Sequence, residues 1–262
     1  MAAVRNAAKE RLEAGELALG VGVRMSRTVD IAKAMKTCGY DWLFIDMEHS
    51  SLDLDTAAQI SVAAQSAGIT PVVRVPGFEH HHASRVLDGG AQGIVAPHVD
   101  TPDTAARIVR QCRFPPLGRR SVVGGLAQLD FEAHPVGEAT GAINASTLVI
   151  VMIETPVAVE NVDAIAAVEG VDGLLVGTND LCMEMGIPGR VGDPAVMEAQ
   201  ARVIDACRRH GRHPGLGGVY EPSLMERYIE MGMRFILCGN DLSMLMAGAG
   251  ARAKHLRART PG

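Results

Sequence analysis

Short apolar runs and longer amphipathic segments alternate along the whole chain. Eight runs stand out, at residues 17–23, 42–45, 71–75, 93–96, 148–153, 173–176, 213–216 and 234–237. They have the length of strands, and their nearly unbroken apolar character is that of strands covered on both faces. Between them, residues 54–67, 82–88, 104–112, 158–168 and 195–210 place apolar side chains every three or four positions, as helices lying on a sheet do. Strand and helix in strict succession make parallel βα units. Eight of them close a (β/α)8 (TIM) barrel of the α/β class, which takes roughly 250 residues; this chain has 262. One domain spanning residues 1–262 is therefore expected. The rival is a doubly wound open sheet, whose dinucleotide-binding version needs Gly-x-Gly-x-x-Gly straight after an early strand. That motif is missing here.

Local signals agree with the alternation. Asp193-Pro194 and Glu221-Pro222 read as helix starts, and Gly68, Gly90 and Gly211 as helix stops. Residues 113–146 break the rhythm: they hold Pro115-Pro116-Leu117-Gly118 and Gly124-Gly125 and are too long for an ordinary connection. Such a segment is expected to be functional or disordered.

Composition excludes several classes of function. A net charge of −5 without any Lys/Arg run lacks the electrostatic footprint of a nucleic-acid binder. Five cysteines, with no Cys-x-x-Cys pair, make neither a disulfide framework nor a zinc knuckle. The start, MAAVRNAAKERLEAG, has no apolar core of a signal peptide, and no stretch reaches the roughly 18 apolar residues of a membrane span. A cytoplasmic enzyme with a small-molecule partner is the expectation.

In a parallel barrel the active site lies at the C-terminal ends of the strands, and the residues just past several runs are unusually polar. Asp46, Glu48 and His49 follow the second run, Arg74 lies in the third, Glu154 follows the fifth, Gly177-Thr178-Asn179-Asp180 the sixth, and Asn240-Asp241 the eighth. Carboxylates converging on one mouth repel each other unless a cation bridges them, and oxygen donors favour a hard ion such as Mg²⁺ or Mn²⁺. A 2-oxo acid can chelate such an ion through a carboxylate oxygen and its ketone oxygen, which stabilises an enolate; retro-aldol cleavage passes through that enolate. The reaction also needs a base for the C4 hydroxyl and a cation near the oxyanion, roles that suit His49 and Arg74, with Asp46 placed to orient the imidazole. The alternatives are structural: Arg74 paired with Asp46 or Glu48, Glu154 paired with an arginine, His49 without chemistry, and Asn240 and Asp241 as helix caps. The lysines are Lys9, Lys33, Lys36 and Lys254. None falls at a strand end, so no amine is offered for a Schiff base.

Six segments together carry a family likeness: Ile45-Asp46-Met47-Glu48-His49, Arg74-Val75-Pro76, Leu87-Asp88-Gly89-Gly90-Ala91-Gln92-Gly93-Ile94, Arg113-Phe114-Pro115-Pro116-Leu117-Gly118, Ile153-Glu154-Thr155 and Gly177-Thr178-Asn179-Asp180-Leu181. In this order and spacing they resemble the HpcH/HpaI aldolases, class II pyruvate aldolases related to the citrate lyase β subunit, from about residue 17 to residue 251. The resemblance implies reversible aldol cleavage of 4-hydroxy-2-oxo acids to pyruvate, or a related 2-oxo acid, and an aldehyde. It implies that Glu154 and Asp180 hold Mg²⁺, Mn²⁺ or Co²⁺, that His49 and Asp46 form the catalytic dyad, and that Arg74 stabilises the enolate. It further implies that Glu48 and Asp88 hold metal-bound waters, Asp88 by reaching a neighbouring subunit. The backbone around Gly177, Thr178, Asn179 and Asp180 would receive the substrate carboxylate. It also implies a homo-oligomer, a hexamer built as a trimer of dimers that exchange their last helix. This chain departs from the family pattern at Met152, where a glutamine is usual, at Thr178-Asn179, and at Arg120-Ser121. Those changes bear on the substrate more than on the reaction. A CoA-ester lyase of the citrate or malyl type and an oxaloacetate decarboxylase share the same enolate, and a noncatalytic barrel scaffold is the alternative outside enzymes.

Overall fold

The computed structural model describes residues 4–77 and 79–259, so the extreme ends of the expected 1–262 span lie outside the described residues. Eight strands follow one another: β1 (Ala18–Val23), β2 (Trp42–Asp46), β3 (Thr70–Arg74), β4 (Gly93–Ala96), β5 (Leu148–Ile153), β6 (Gly173–Gly177), β7 (His213–Gly217) and β8 (Phe235–Asn240). Each pairs in parallel with the next, and β8 returns to pair with β1. The sheet is thus a closed (β/α)8 barrel, and closure excludes the open-sheet rival. The expected runs differ from these strands by a residue or so at most ends. β8 alone runs further, to Asn240, because Asn240 still pairs with Gly22 of β1 across an irregularity in the register.

Among the described residues twelve helices accompany the barrel: α1 (Ala7–Glu13), α2 (Asp30–Thr37), α3 (Leu54–Ala67), α4 (His80–Asp88), α5 (Pro102–Cys112), α6 (Val136–Ser146), α7 (Pro156–Glu160), α8 (Val162–Ala166), α9 (Thr178–Glu184), α10 (Pro194–His210), α11 (Pro222–Met231) and α12 (Asp241–Arg257). Asp193 and Glu221 cap α10 and α11 through their carboxylates, while Gly68 and Gly211 end α3 and α10 in the left-handed conformation. α4 ends at Asp88, where the 82–88 segment ends, with Gly89 at its C-cap and Gly90 following at φ 106°.

Two apolar layers hold the barrel. Outside the sheet, Ile45, Ile94, Val149, Leu174 and Ile236 pack against helix residues such as Ile60, Ile108 and Val203. Inside it, Trp42, Phe44, Val72, Val95, Ile150, Leu175 and Phe235 fill the lumen. The Trp42 and Phe235 rings stack with centroids 3.8 Å apart. A Cβ at Gly20 would overlap the Trp42 indole, so only glycine fits beneath the stack. Ala8 and Leu12 of α1 belong to the same inner layer, and Asn6 ties that helix to the carbonyls of Gln92 and Ser146. The lumen is thereby plugged at the strands' N-terminal end, which leaves the opposite end for chemistry.

The 113–146 segment is neither disordered nor a bare loop. It carries a 3-10 turn at Ala127–Leu129, ends in α6, and folds around a small core of Phe114, Leu126, Leu129 and Ile143.

Candidate active site

Asp46 and Arg74 end adjacent strands and lie opposite each other in the β2–β3 register. Arg74 Nε donates to Asp46 Oδ1 at 2.9 Å and Nη2 to Oδ2 at 2.7 Å, a buried bidentate pair. The guanidinium also lies 5.0 Å from the centre of the Phe44 ring. Burial works to raise the Asp46 pKa, but the Arg74 hydrogen bonds and charge, followed by the His49 amide and Arg24, outweigh it and hold the carboxyl below its ordinary range. Burial likewise works to lower the Arg74 pKa, and the charges of Asp46, Glu48 and Glu154 push it up instead.

The same carboxylate organises the loop that follows. Asp46 Oδ1 accepts the backbone N–H groups of Glu48 and His49 at 3.2 and 3.1 Å. Asp46 was expected to orient the His49 imidazole. Its oxygens instead serve Arg74 and the backbone amides, and it reaches His49 only through the latter's N–H. The imidazole is half exposed, with Nε2 3.8 Å from Glu48 Oε2.

Glu154 follows β5 and is 2 % exposed. Its Oε2 accepts the backbone N–H of His98 at 2.8 Å. A Cβ at Gly177 would lie 2.5 Å from Glu154 Oε1, so the side chain crosses the end of β6 only because residue 177 has none. Asp180, in the first turn of α9, is exposed. Neighbouring Thr178 is buried, and its hydroxyl accepts from Gln200 at 3.0 Å. Burial raises the Glu154 pKa most. The His98 amide and ring oppose this, and the charges of Asp180 and Glu48 add to it.

Glu48 completes the acidic group. Its Oε2 lies 2.9 Å from Arg74 Nη1, yet off hydrogen-bond geometry, and is left without a hydrogen-bond partner. An orphaned buried carboxylate oxygen, beside a second buried acid that is destabilised by its neighbours' charge, fits a hard dication with water in its coordination sphere. Among the described residues no three His, Cys, Asp or Glu side chains form a ready metal cage. An ion here would therefore take two protein carboxylates and leave positions for water and substrate.

Asp88 is not brought to this cluster within the chain. It ends α4, and helices of a βα barrel end at the face opposite the site; its carboxylate accepts from Arg120 Nη2 at 2.6 Å. All four lysines are likewise away from the mouth, on α1, α2 and α12. A cavity of about 540 Å³ also lies elsewhere, bounded by Thr70, Gln92 and Gln128 near α1.

Three residues escaped the sequence reading. His98, at φ 53°, places Nε2 3.2 Å from Glu48 Oε1 and Nδ1 3.6 Å from Glu154 Oε2, so that it bridges the two acids. It sits two residues past β4, where the strand-end rule applied to that strand would have found it. Arg24, directly after β1, donates from Nη2 to the His49 carbonyl at 2.7 Å and holds Nε 3.4 Å from Asp46 Oδ2. Tyr220, past β7, feels the charges of Arg24, Arg74 and Asp46, and burial raises its phenol pKa. Asn240 does cap α12, in a capping box with Ser243. Asp241 does more than open that helix: its carboxylate accepts the N–H groups of Arg24, Met25 and Ser26.

The geometry can be set beside known proteins. The HpcH/HpaI aldolase/citrate lyase family model matches residues 25–247. A 4-hydroxy-4-methyl-2-oxoglutarate aldolase of Chaetomium globosum is 41% identical over 244 residues, covering 90% of this chain and 89% of its own. A 4-hydroxy-2-oxovalerate aldolase of Rhodococcus jostii is 34% identical over 251 residues, covering 95% of each. The crystal structure of an HpcH/HpaI aldolase from Desulfitobacterium hafniense superposes with a TM-score of 0.92 at 30% identity, covering 97% of both chains. With a strand-end constellation of this kind and matches over nearly its whole length, the chain belongs to the HpcH/HpaI aldolase/citrate lyase family.

Proposed function

We propose that this protein catalyses the reversible aldol cleavage of 4-hydroxy-2-oxo acids to pyruvate, or a related 2-oxo acid, and a carbonyl partner, with Glu154 and Asp180 holding a divalent cation. The chain is a carbon–carbon lyase of the aldolase class, dependent on a divalent metal. The observation that carries the site assignment is the state of Glu154: buried, and pushed up by burial together with the charges of Asp180 and Glu48. A dication between the acids would relieve that repulsion; Mg²⁺, Mn²⁺ and Co²⁺ all accept such oxygen donors. When bound, the ion supplies a Lewis acid that draws electron density from the ketone of a chelated 2-oxo acid.

The protein's own groups do the rest. Arg74, fixed by its bidentate bond to Asp46, is the cation aimed at the developing oxyanion. His49 is the half-exposed group free to take the proton of the C4 hydroxyl. Asp46 acts by positioning both: it clamps Arg74 through its side chain and His49 through its backbone. Glu48 would hold water of the bound ion, and Asp88 would join it only across a subunit interface. Backbone amides from Gly177 through Thr178, Asn179 and Asp180 receive the substrate carboxylate, with Gly177 also making room for Glu154.

The absence of a strand-end lysine supports the metal route over a Schiff base. The exposed Leu242, Leu245, Met246 and Leu256 of α12 support a homo-oligomer, a hexamer or trimer of dimers that exchange this helix. Five cysteines, none in a disulfide, fit the cytoplasm. Among the described residues no helix is long and apolar enough to cross a membrane.

The test is condensation of pyruvate with a small aldehyde, with and without EDTA. Product formation should stop with chelator and return with added Mn²⁺ or Mg²⁺. Turnover indifferent to chelator would contradict the assignment.

A further inference from the structure

We propose that Arg24 binds a carboxylate on the far side of the scissile bond, so that the preferred carbonyl partner is itself an oxo acid and the molecule cleaved is a 4-hydroxy-2-oxo diacid. This assignment rests on the aldolase reading above and names the substrate class of that same site.

Position comes first. In the closed order β1 to β8, β1 stands across the barrel from β5. A substrate whose 2-oxo acid end is held near Glu154, just past β5, and Asp180, just past β6, must direct its C4 end towards the opposite wall. Arg24 rises from that wall, joined by hydrogen bond to the carbonyl of His49, the residue assigned to the C4 hydroxyl.

The guanidinium of Arg24 is only partly engaged by the protein. Asp46, its nearest acid, is already matched by the bidentate bond from Arg74, and Arg24 approaches it only at 3.4 Å through Nε. Nη1 has no hydrogen-bond partner among the described residues, and the side chain remains 44% exposed at the mouth. With a dication in place, Arg74 and Arg24 balance the four carboxylates Asp46, Glu48, Glu154 and Asp180, and a second carboxylate arriving with the substrate meets Arg24 as a mouth cation that still has an open donor nitrogen.

The loop is also built to present this side chain. Asp241 gathers the N–H groups of Arg24, Met25 and Ser26 at 3.0, 3.1 and 2.7 Å. From the other side, Arg27 Nη1 donates to the carbonyls of Arg24 and Met25, and its Nη2 to Ser51 Oγ at 2.8 Å. A backbone latched on both faces has little conformational entropy left to lose when the guanidinium engages a ligand. Bidentate capture of a carboxylate is the geometry a guanidinium edge favours.

The chemistry needs no co-reactant. C3–C4 breaks, the C4 hydroxyl gives up its proton, and C4 becomes the carbonyl carbon of the released oxo acid. The electron pair left on C3 takes a proton to become the methyl group of pyruvate.

Glyoxylate and glycolaldehyde make a clean pair of probes, since both are two-carbon aldehydes and differ in carboxylate against hydroxymethyl. Each would be condensed with pyruvate and Mn²⁺ by the wild type, R24Q and R24K. The wild type is expected to prefer glyoxylate. R24Q should lower the glyoxylate-to-glycolaldehyde ratio of kcat/KM by about 10- to 100-fold, the range of a lost charge-assisted hydrogen bond, mainly through the KM for glyoxylate. R24K, which keeps the charge but not the fork, should retain part of that ratio. An unchanged ratio in R24Q, or equal loss with both aldehydes, overturns the role of Arg24 and leaves the aldolase reading standing. Failure of the wild type to condense either aldehyde overturns both.

Discussion

Glu154 and Asp46 are both buried strand-end acids, and their surroundings drive their pKa values apart. For Glu154, burial and then the charges of Asp180 and Glu48 prevail over His98, so the folded pKa lies above the unfolded one. Its contribution to stability is therefore fully present below the ordinary glutamate range and is lost as pH rises through the folded value. A cation must expel that proton, so Mn²⁺ affinity, measured by titration calorimetry, should climb as pH rises above the ordinary glutamate range. Glu154→Gln should abolish the climb along with most of the binding. PH-independent affinity would argue against Glu154 as a ligand. Asp46 has the opposite sign: its folded pKa is lowered, so its stabilisation is present above the ordinary aspartate range and is lost as pH falls through the folded value. At His49, substitution by alanine should leave Mn²⁺ affinity intact while kcat falls by about 10²–10⁴-fold; normal turnover would remove His49 from the mechanism. The gathering of Asp46, Glu48, His49, Arg74, Glu154 and Asp180 at one mouth was legible in the sequence because the rule behind it is local: look at each strand's end and just past it. The partnership of Asp46 with Arg74 was not, since it depends on which residues of two strands stand side by side. His98 and Arg24 obey the same local rule, after strands whose ends had not been read for chemistry.

At the scale of elements, the strands were legible because a parallel strand covered on both faces is one unbroken apolar run; β2, β3, β5 and β6 are buried at every position. Helices were harder to read. Residues 158–168, expected as part of one helix, are split into α7 and α8 at Asn161, whose side chain turns to bond the Asp100 carbonyl. α6 was hidden in the 113–146 segment because Gly137 and Gly141 and several alanines blur its apolar stripe. Most consequential is the join between the β1 loop and α12. Asp241 is 9% exposed and accepts three backbone N–H groups from residues 24–26. Burial works against its ionised form, but those amides prevail and lower its pKa. Asp241→Ala should cost about 1–3 kcal/mol, the penalty of leaving buried donors unsatisfied, read as a shift in the urea midpoint. Unchanged stability would mean that the loop does not depend on this latch.

For the whole molecule, a closed barrel plugged by α1 at one end and open at the other confines chemistry to a single mouth, and one chain leaves that arrangement incomplete in two respects. α12 exposes Leu242, Leu245, Met246 and Leu256, and Asp88 lies away from the acids it was expected to join. Both are resolved if subunits exchange the final helix and share their sites. Light scattering should then give a mass several times the 27.7 kDa of the chain, and a monomer at micromolar concentration would contradict the exchange. The expectation of exchange came with the family resemblance and not from the pattern of residues, because a partner surface is assembled from segments far apart in the chain. The proposed chemistry turns on one ion between Glu154 and Asp180. The most direct measurement is the anomalous scattering of Mn²⁺ in crystals grown with pyruvate. The expected result is one peak bonded to an oxygen of each carboxylate, with the oxo acid chelating the same ion; a peak elsewhere, or the two side chains turned apart with pyruvate bound, would contradict it.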